Sequence, residues 1–253
     1  MKYSIFHTSN CGSTLLATLL RNNIKTFSEP TWIDNIYLQK PDEFLKEYNY
    51  SKWDDIVKEK KLSHEDNNLI KYPSYASFLS NVVSGKKIFL YRDFRDNIEK
   101  IMSRDKMSTK YRRISYHYEI FKLRNLFPHV RPENDRQKLA YVWAHHMFDI
   151  SKSKNVLFIK SNDFFLHPIE TVDKVTKFFD IDSVKDFDPL SFHVKKDFLR
   201  KDDPLDKINA SNKRPFKVKR GYIKSTRWYK LEEWCYSNFD FLPNFLSKIN
   251  GQV

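Results

Sequence analysis

The sequence predicts an α/β fold, a central parallel sheet with helices on both faces. Short apolar runs that read as strands alternate along the chain with longer segments of helical periodicity, the pattern of strands joined by helical crossovers. The 253 residues are 40% hydrophobic and 16% aromatic, which is enough to fill the core of one large domain. No internal repeat and no low-complexity linker divides the chain, so residues 1–253 are expected to form a single unit.

The elements follow in order. Tyr3–His7 reads as a short buried strand, Thr8–Gly12 as a turn, and Ser13–Asn22 as a helix with Leu15, Leu16, Leu19 and Leu20 on one face. Ile24–Ser28 is a second strand, left at Glu29-Pro30 because proline pushes the chain out of regular structure. Residues 31–66 read as polar and helical, anchored by Trp32, Ile36, Leu45, Trp53 and Ile56. Asn68–Tyr72 is a strand stopped by Pro73, and Tyr75–Val83 is a helix closed by Ser84-Gly85. Lys86–Tyr91 is the clearest strand of all. Residues 96–126 and 136–153 read as long helices, so that about 100–150 forms a helical region rich in cations and aromatics. Asn155–Lys160 is a further strand and Pro168–Phe179 an amphipathic helix. From about residue 190 to 253 the chain reads as irregular and basic, with one helix at Lys230–Asn238.

Composition narrows the function. Lys and Arg number 45 against 32 Asp and Glu, so the formal charge is 45 − 32 = +13, and the partner or substrate should carry negative charge. Nucleic acid, an anionic membrane surface and a phosphate-rich cofactor all satisfy that condition. No stretch approaches the roughly 18 apolar residues of a membrane span. The opening residues are too short an apolar run for a signal peptide, and two cysteines, Cys11 and Cys235, exclude a disulfide framework or a cysteine zinc site. A cytoplasmic protein is the expectation. His145-His146 lie next to each other in a helical stretch and point apart, so they are not read as a metal pair.

Ile5-Phe6-His7-Thr8-Ser9-Asn10-Cys11-Gly12-Ser13-Thr14-Leu15-Leu16 sits where a strand runs into a helix. That junction aims backbone N–H groups and the positive end of the helix dipole at one point. Gly12, one of only four glycines, lets the backbone approach an anion, and the Ser13 and Thr14 hydroxyls add donors. A nucleotide kinase loop reads G-x-x-x-x-G-K-[ST]; here His7 stands for the first glycine and Ser13 for the lysine. The bland alternative is an ordinary Ser/Thr-capped helix. The second informative segment is Lys87-Ile88-Phe89-Leu90-Tyr91-Arg92-Asp93-Phe94-Arg95-Asp96, where Arg92 follows an apolar strand. Ligands of open parallel sheets bind outside the carboxyl ends of the strands, so Arg92 is expected to share an edge with the Gly12 loop and to grip phosphate with its fork. A three-layer, P-loop-like fold is the expected architecture.

Together these segments resemble the sulfotransferases that use 3′-phosphoadenosine 5′-phosphosulfate (PAPS), in a bacterial-type form with an H-T-S-x-C-G-S-T-L-L loop followed by Ser28-Glu29-Pro30. Lys160-Ser161-Asn162-Asp163-Phe164 through Phe178-Phe179-Asp180-Ile181 is similar to that family's Y-E-D-L…F-L-G-I segment, so the resemblance spans about residues 1–182. It implies that Asn10, Cys11, Gly12, Ser13 and Thr14 bind the 5′-phosphosulfate, and that Arg92 and Lys100, eight residues on, bind the 3′-phosphate. Lys219-Arg220-Gly221 loosely resembles the late basic loop that covers the 3′-phosphate, which carries Arg220 and Gly221 into the site. Departures are plain: Asn10 replaces a Lys or Arg, Lys100 a Ser, and Phe94 a Pro.

Sulfuryl transfer needs an in-line acceptor, charge stabilisation and a base for the acceptor proton. Leu69-Ile70-Lys71-Tyr72-Pro73 resembles L-I-K-T-H of the small-molecule branch, with Pro73 in place of the catalytic histidine. Glu29 is therefore the expected base, since other branches use a glutamate, and Lys71 the cation that compensates for Asn10. Such cations supply the field, so no metal is required. The expected reaction moves a sulfuryl group from PAPS to a hydroxyl of a small molecule, carbohydrate or peptide, and nucleic acid is not the expected partner. Two other readings stay open, a nucleotide or nucleoside kinase of related fold and a degenerate, non-catalytic member that binds nucleotide or polyanion.

Overall fold

A computed structural model describes residues 3–9, 11–21, 23–28, 68–81, 83–103, 114, 117–184 and 226–250. Asn10, Glu29, Arg220, Gly221, the stretch 31–66 and the basic run through Lys213–Gly221 lie outside the described residues.

Strands β1 (Tyr3–His7), β2 (Lys25–Ser28), β3 (Asn68–Lys71), β4 (Lys86–Tyr91) and β5 (Val156–Lys160) build one sheet in the order β2-β3-β1-β4-β5. Every pairing is parallel: Ile5 stands opposite Lys71 on one side and Ile88 on the other, and Tyr91 opposite Lys160. The α/β expectation holds, and the strands explain why. Successive side chains alternate between faces, and here both faces are apolar. Tyr3, Ile5, Leu69, Ile88, Leu90 and Ile159 enter one core, while Phe6, Ile70, Phe89 and Tyr91 enter the other. A strand buried on both sides must be covered on both sides, which selects a parallel sheet between two helical layers.

Helices α1 (Ser13–Leu20) and α6 (Pro168–Phe179) cover the first face through Leu16, Leu19, Val172 and Val175. The second is covered by a 3₁₀ segment (Ser74–Asn81), α2 (Phe94–Met102), α3 (His117–Leu123) and α4 (Asp135–Ser151). The C-terminal helices α7 (Thr226–Asn238) and α8 (Phe241–Asn250) pack there too. A short helix, α5 (Ser161–Leu166), follows β5 directly. Side chains fix two of the helix starts. Asp93 Oδ1 accepts from Arg95 N (3.0 Å) ahead of α2, and Asn134 Oδ1 accepts from Arg136 N and Gln137 N (3.1 Å each) ahead of α4.

Four elements differ from expectation. The helix read over 96–126 is not continuous: α2 stops at Met102, where Ser103 N–H bonds back to Glu99 O and Ile101 O. The segment after β3 is 3₁₀ rather than α, kinked at Ala76. Its side chains answer to three-residue spacing, Ser74 and Ser77 each bonding outside the segment. The region 161–166 is helical, and the C-terminal part holds two helices where one was expected. His145 and His146 diverge as their adjacency requires. His145 lies among the rings of Phe121, Phe127 and Tyr141, and His146 Nδ1 meets Ser77 Oγ at 2.9 Å.

Candidate anion-binding site

β1 leads away towards β2, while its neighbour β4 leads towards β5 on the other side. The crevice at the carboxyl ends of two such strands is a topological switch point, the usual ligand position in open α/β sheets. The Gly12 loop and Arg92 both emerge there. Their closeness is direct, because Thr8 N–H donates to Leu90 O (3.1 Å) and Arg92 N–H donates to Thr8 Oγ1 (3.0 Å).

The loop is tied at each step. Ser9 Oγ donates to Ser74 Oγ beyond β3 (3.1 Å), and Asn97 of α2 donates through Nδ2 to Ser9 O. Cys11 O accepts from Ser161 Oγ (2.7 Å), whose hydroxyl in turn accepts from Arg92 Nη2 (3.3 Å). Trp143 Nε1 of α4 donates to Arg92 O (2.9 Å), holding the backbone behind the guanidinium. Gly12 caps α1 with φ +97°, and a Cβ there would stand 2.9 Å from Phe165 Cζ. Glycine is required twice over, by conformation and by space. The first helical bond runs from Leu16 N to Gly12 O, so the N–H groups of Thr14 and Leu15 face out of the helix end, where the dipole is positive.

Two cations stand close to this loop. Lys71 is buried (1% exposed) at the end of β3 and Arg92 is half-buried at the end of β4. Both bear electrostatically on Cys11. Burial nevertheless lifts the Cys11 thiol to about 11, outweighing hydrogen bonds from Ser13 and the charges of Arg92 and Lys71. The Cys11 side chain is therefore neutral and packed, with the Ser13 N–H and hydroxyl turned to its sulfur. Thr14 is half-buried at the helix start. Lys100 lies in the last turn of α2, three residues from Asn97 and four from Asp96, hence on the helix side that meets Ser9 and Asn162. His7 packs, its ring Nδ1–H donating to Thr8 O (2.9 Å).

Cys11, Gly12, Ser13, Thr14, Lys71 and Arg92 thus come together at one sheet edge, with Lys100 on the adjoining helix. Asn10, Glu29, Arg220 and Gly221 lie outside the described residues. Sequence reading missed Ser161, Asn97 and Trp143. Only Ser161 carried a cue, its place directly after a strand.

No protein-family model matches the chain, and no curated protein sequence matches it. Among solved structures, the sulfotransferase domain from the curacin biosynthetic pathway aligns with a TM-score of 0.44 at 15% identity, over 74% of this chain and 75% of that one. The sulfotransferase domain from the Synechococcus PCC 7002 olefin synthase aligns with a TM-score of 0.42 at 17% identity, over 74% of each chain.

Proposed function

We propose that the chain is a sulfotransferase that uses PAPS as donor and an acceptor hydroxyl on a small molecule, carbohydrate or peptide. The observation that carries this reading is the junction of the Gly12 loop with Arg92, joined by the Arg92 N–H to Thr8 Oγ1 bond of 3.0 Å and by the shared hydroxyl of Ser161. The residues fit such a donor. A loop without a β-carbon at Gly12 opens onto a helix N-terminus, beside one buried and one half-buried cation.

When bound, PAPS supplies the activated sulfuryl group. Gly12 and Thr14, with Asn10 and Cys11 of the same loop, hold its 5′ end through backbone and hydroxyl donors, and Ser13 joins them by turning its donors from the Cys11 sulfur to the anion. Lys71 sets a positive charge beside that end, where water is excluded and a cation acts strongly. Arg92 holds the 3′-phosphate by its fork, aided by Lys100 as a point charge and by Arg220 and Gly221 of the later basic segment. Glu29 takes the proton of the acceptor hydroxyl. These cations take the part a metal plays in phosphoryl transfer, and none is needed.

Thermal shift with adenosine 3′,5′-bisphosphate against ATP–Mg²⁺ tests the reading, because a ligand at 100 times its Kd stabilises by about 2.7 kcal/mol. The bisphosphate is expected to stabilise more, and Arg92→Ala to abolish that preference. An equal or larger response to ATP–Mg²⁺ would point to a kinase. No bisphosphate response, together with salt-sensitive oligonucleotide binding, would point to a polyanion-binding protein. Glu29→Gln should lower turnover by about 10²-fold or more with bisphosphate affinity retained; an unchanged rate removes Glu29 from this role.

A further inference from the structure

We infer that Ser161 is a positioning residue of this site, a single hydroxyl that sets the spacing between the Gly12 loop and Arg92. The inference rests on the donor-site reading and adds to it a residue to which the sequence motifs assign no role. Ser161 is wholly buried (0% exposed), and its two partners lie 150 and 69 residues away in the chain. The direction of both bonds is unambiguous. A carbonyl only accepts and a guanidinium only donates, so the hydroxyl proton goes to Cys11 O at 2.7 Å and an oxygen lone pair takes Arg92 Nη2 at 3.3 Å.

Pinning Cys11 O also orients the next N–H. In a trans peptide the C=O and the following N–H point in opposite directions, so a Cys11 carbonyl drawn to α5 turns the Gly12 N–H away from α5. Glycine adopts either sign of φ readily, which leaves this one peptide easy to flip. A flipped peptide would present a carbonyl oxygen to an approaching anion where an N–H now stands. Ser161 is the lock on that rotation and, through Nη2, on the pose of the guanidinium. The helix that carries it is braced on both sides: Phe165 packs on Gly12, and Asn162 Nδ2 donates to Asp96 Oδ2 of α2 (3.4 Å).

The test measures affinities of the full chain for adenosine 3′,5′-bisphosphate and for adenosine 5′-monophosphate by calorimetry. Wild type is expected to prefer the bisphosphate. Ser161→Ala should weaken bisphosphate binding about tenfold and shrink that preference, since the lost bond is charge-assisted. Ser161→Cys fills the same space with a poor hydrogen-bonding group and should behave alike, which covers an alanine variant that does not fold. In an Arg92→Ala background, Ser161→Ala should change the preference no further, because its effect on the 3′-phosphate passes through Arg92. A variant with lowered melting temperature but a wild-type preference makes Ser161 merely structural and overturns the inference, as does any further shift of preference in the double variant. A wild type that lacks the preference overturns the donor reading first, and this one with it.

Discussion

At Gly12 the backbone φ of +97° and the 2.9 Å approach of Phe165 Cζ leave no room for a side chain. Gly12→Ala is expected to cost about 1–2 kcal/mol from left-handed strain alone, with more from displacing the Phe165 ring, seen as a lower urea midpoint at unchanged m. Lys71 calls for a different readout. Its ammonium is buried at the strand end, beside the loop that would hold the transferring group. Lys71→Met keeps most of the volume and removes the charge, so turnover should fall by about 10²-fold. Affinity for the bisphosphate, which has no sulfuryl group, should change much less. Equal losses in both would make Lys71 a general anion binder. These residues were legible because short motifs carry them: a glycine between Cys and Ser at a strand–helix junction, an arginine after an apolar strand. Ser161, Asn97 and Trp143 were not. Their partners Cys11, Ser9 and Arg92 lie 150, 88 and 51 residues away, and no local pattern encodes so remote a hydrogen bond.

Between elements, the strongest polar joint among the described residues is the pair of Arg124, just after α3, and Asp149 of α4. Arg124 donates to both carboxylate oxygens (2.7 and 2.6 Å), and Ser77 of the 3₁₀ segment adds a third bond at 2.8 Å. Asp149→Asn strands a guanidinium that is 12% exposed, at an expected cost of about 3–5 kcal/mol. The double replacement Arg124→Met/Asp149→Leu should cost less than the single one in chemical denaturation. The neighbouring His145 makes this layer acid-sensitive. Burial first, then the charges of Arg124 and His146, hold its pKa well below the ordinary 6.5. Below 6.5 the unfolded chain takes up a proton that the folded chain refuses, so stability is complete above that pH and declines as pH falls towards the folded pKa. The slope approaches about 1.4 kcal/mol per pH unit. His145→Phe, which suits the surrounding rings, should flatten that decline; a curve parallel to wild type would discharge His145. Strands were the legible elements, since burial of β4 on both faces is written in the consecutive apolar residues Ile88–Tyr91. The helix α8 was hidden by Pro243, which reads as a breaker yet sits in the first turn, where its missing N–H costs no helical bond.

Across the molecule, the two cores are unequal, and the larger one takes in the C-terminal helices. Phe239, between α7 and α8, is 1% exposed and meets the rings of Phe127 (5.0 Å), Trp234 (5.9 Å) and Tyr141 (6.1 Å). Arg95 reaches Glu232 at 2.6 Å, and Tyr91 OH donates to Asn250 Oδ1 at 3.4 Å. Phe239→Ala should lower stability by about 3–5 kcal/mol, in one cooperative transition; a separate early transition would mean that the C-terminal pair melts independently. The layered plan was legible from strand–helix alternation, whereas the attachment of α7 and α8 was not, because partners such as Phe127 and Tyr141 lie far back in the chain. The hydroxyl bridge from Ser161 to Cys11 bears on biosynthesis. The turn after β1 is made 150 residues before Ser161, so its peptide plane is secured only after β5 and the residue beyond it have emerged and docked. Domains fold broadly from the N-terminus as they are made, so a nascent chain would display an unsecured glycine turn while those intervening residues are made, and the turn would be set only once the fifth strand closes the edge.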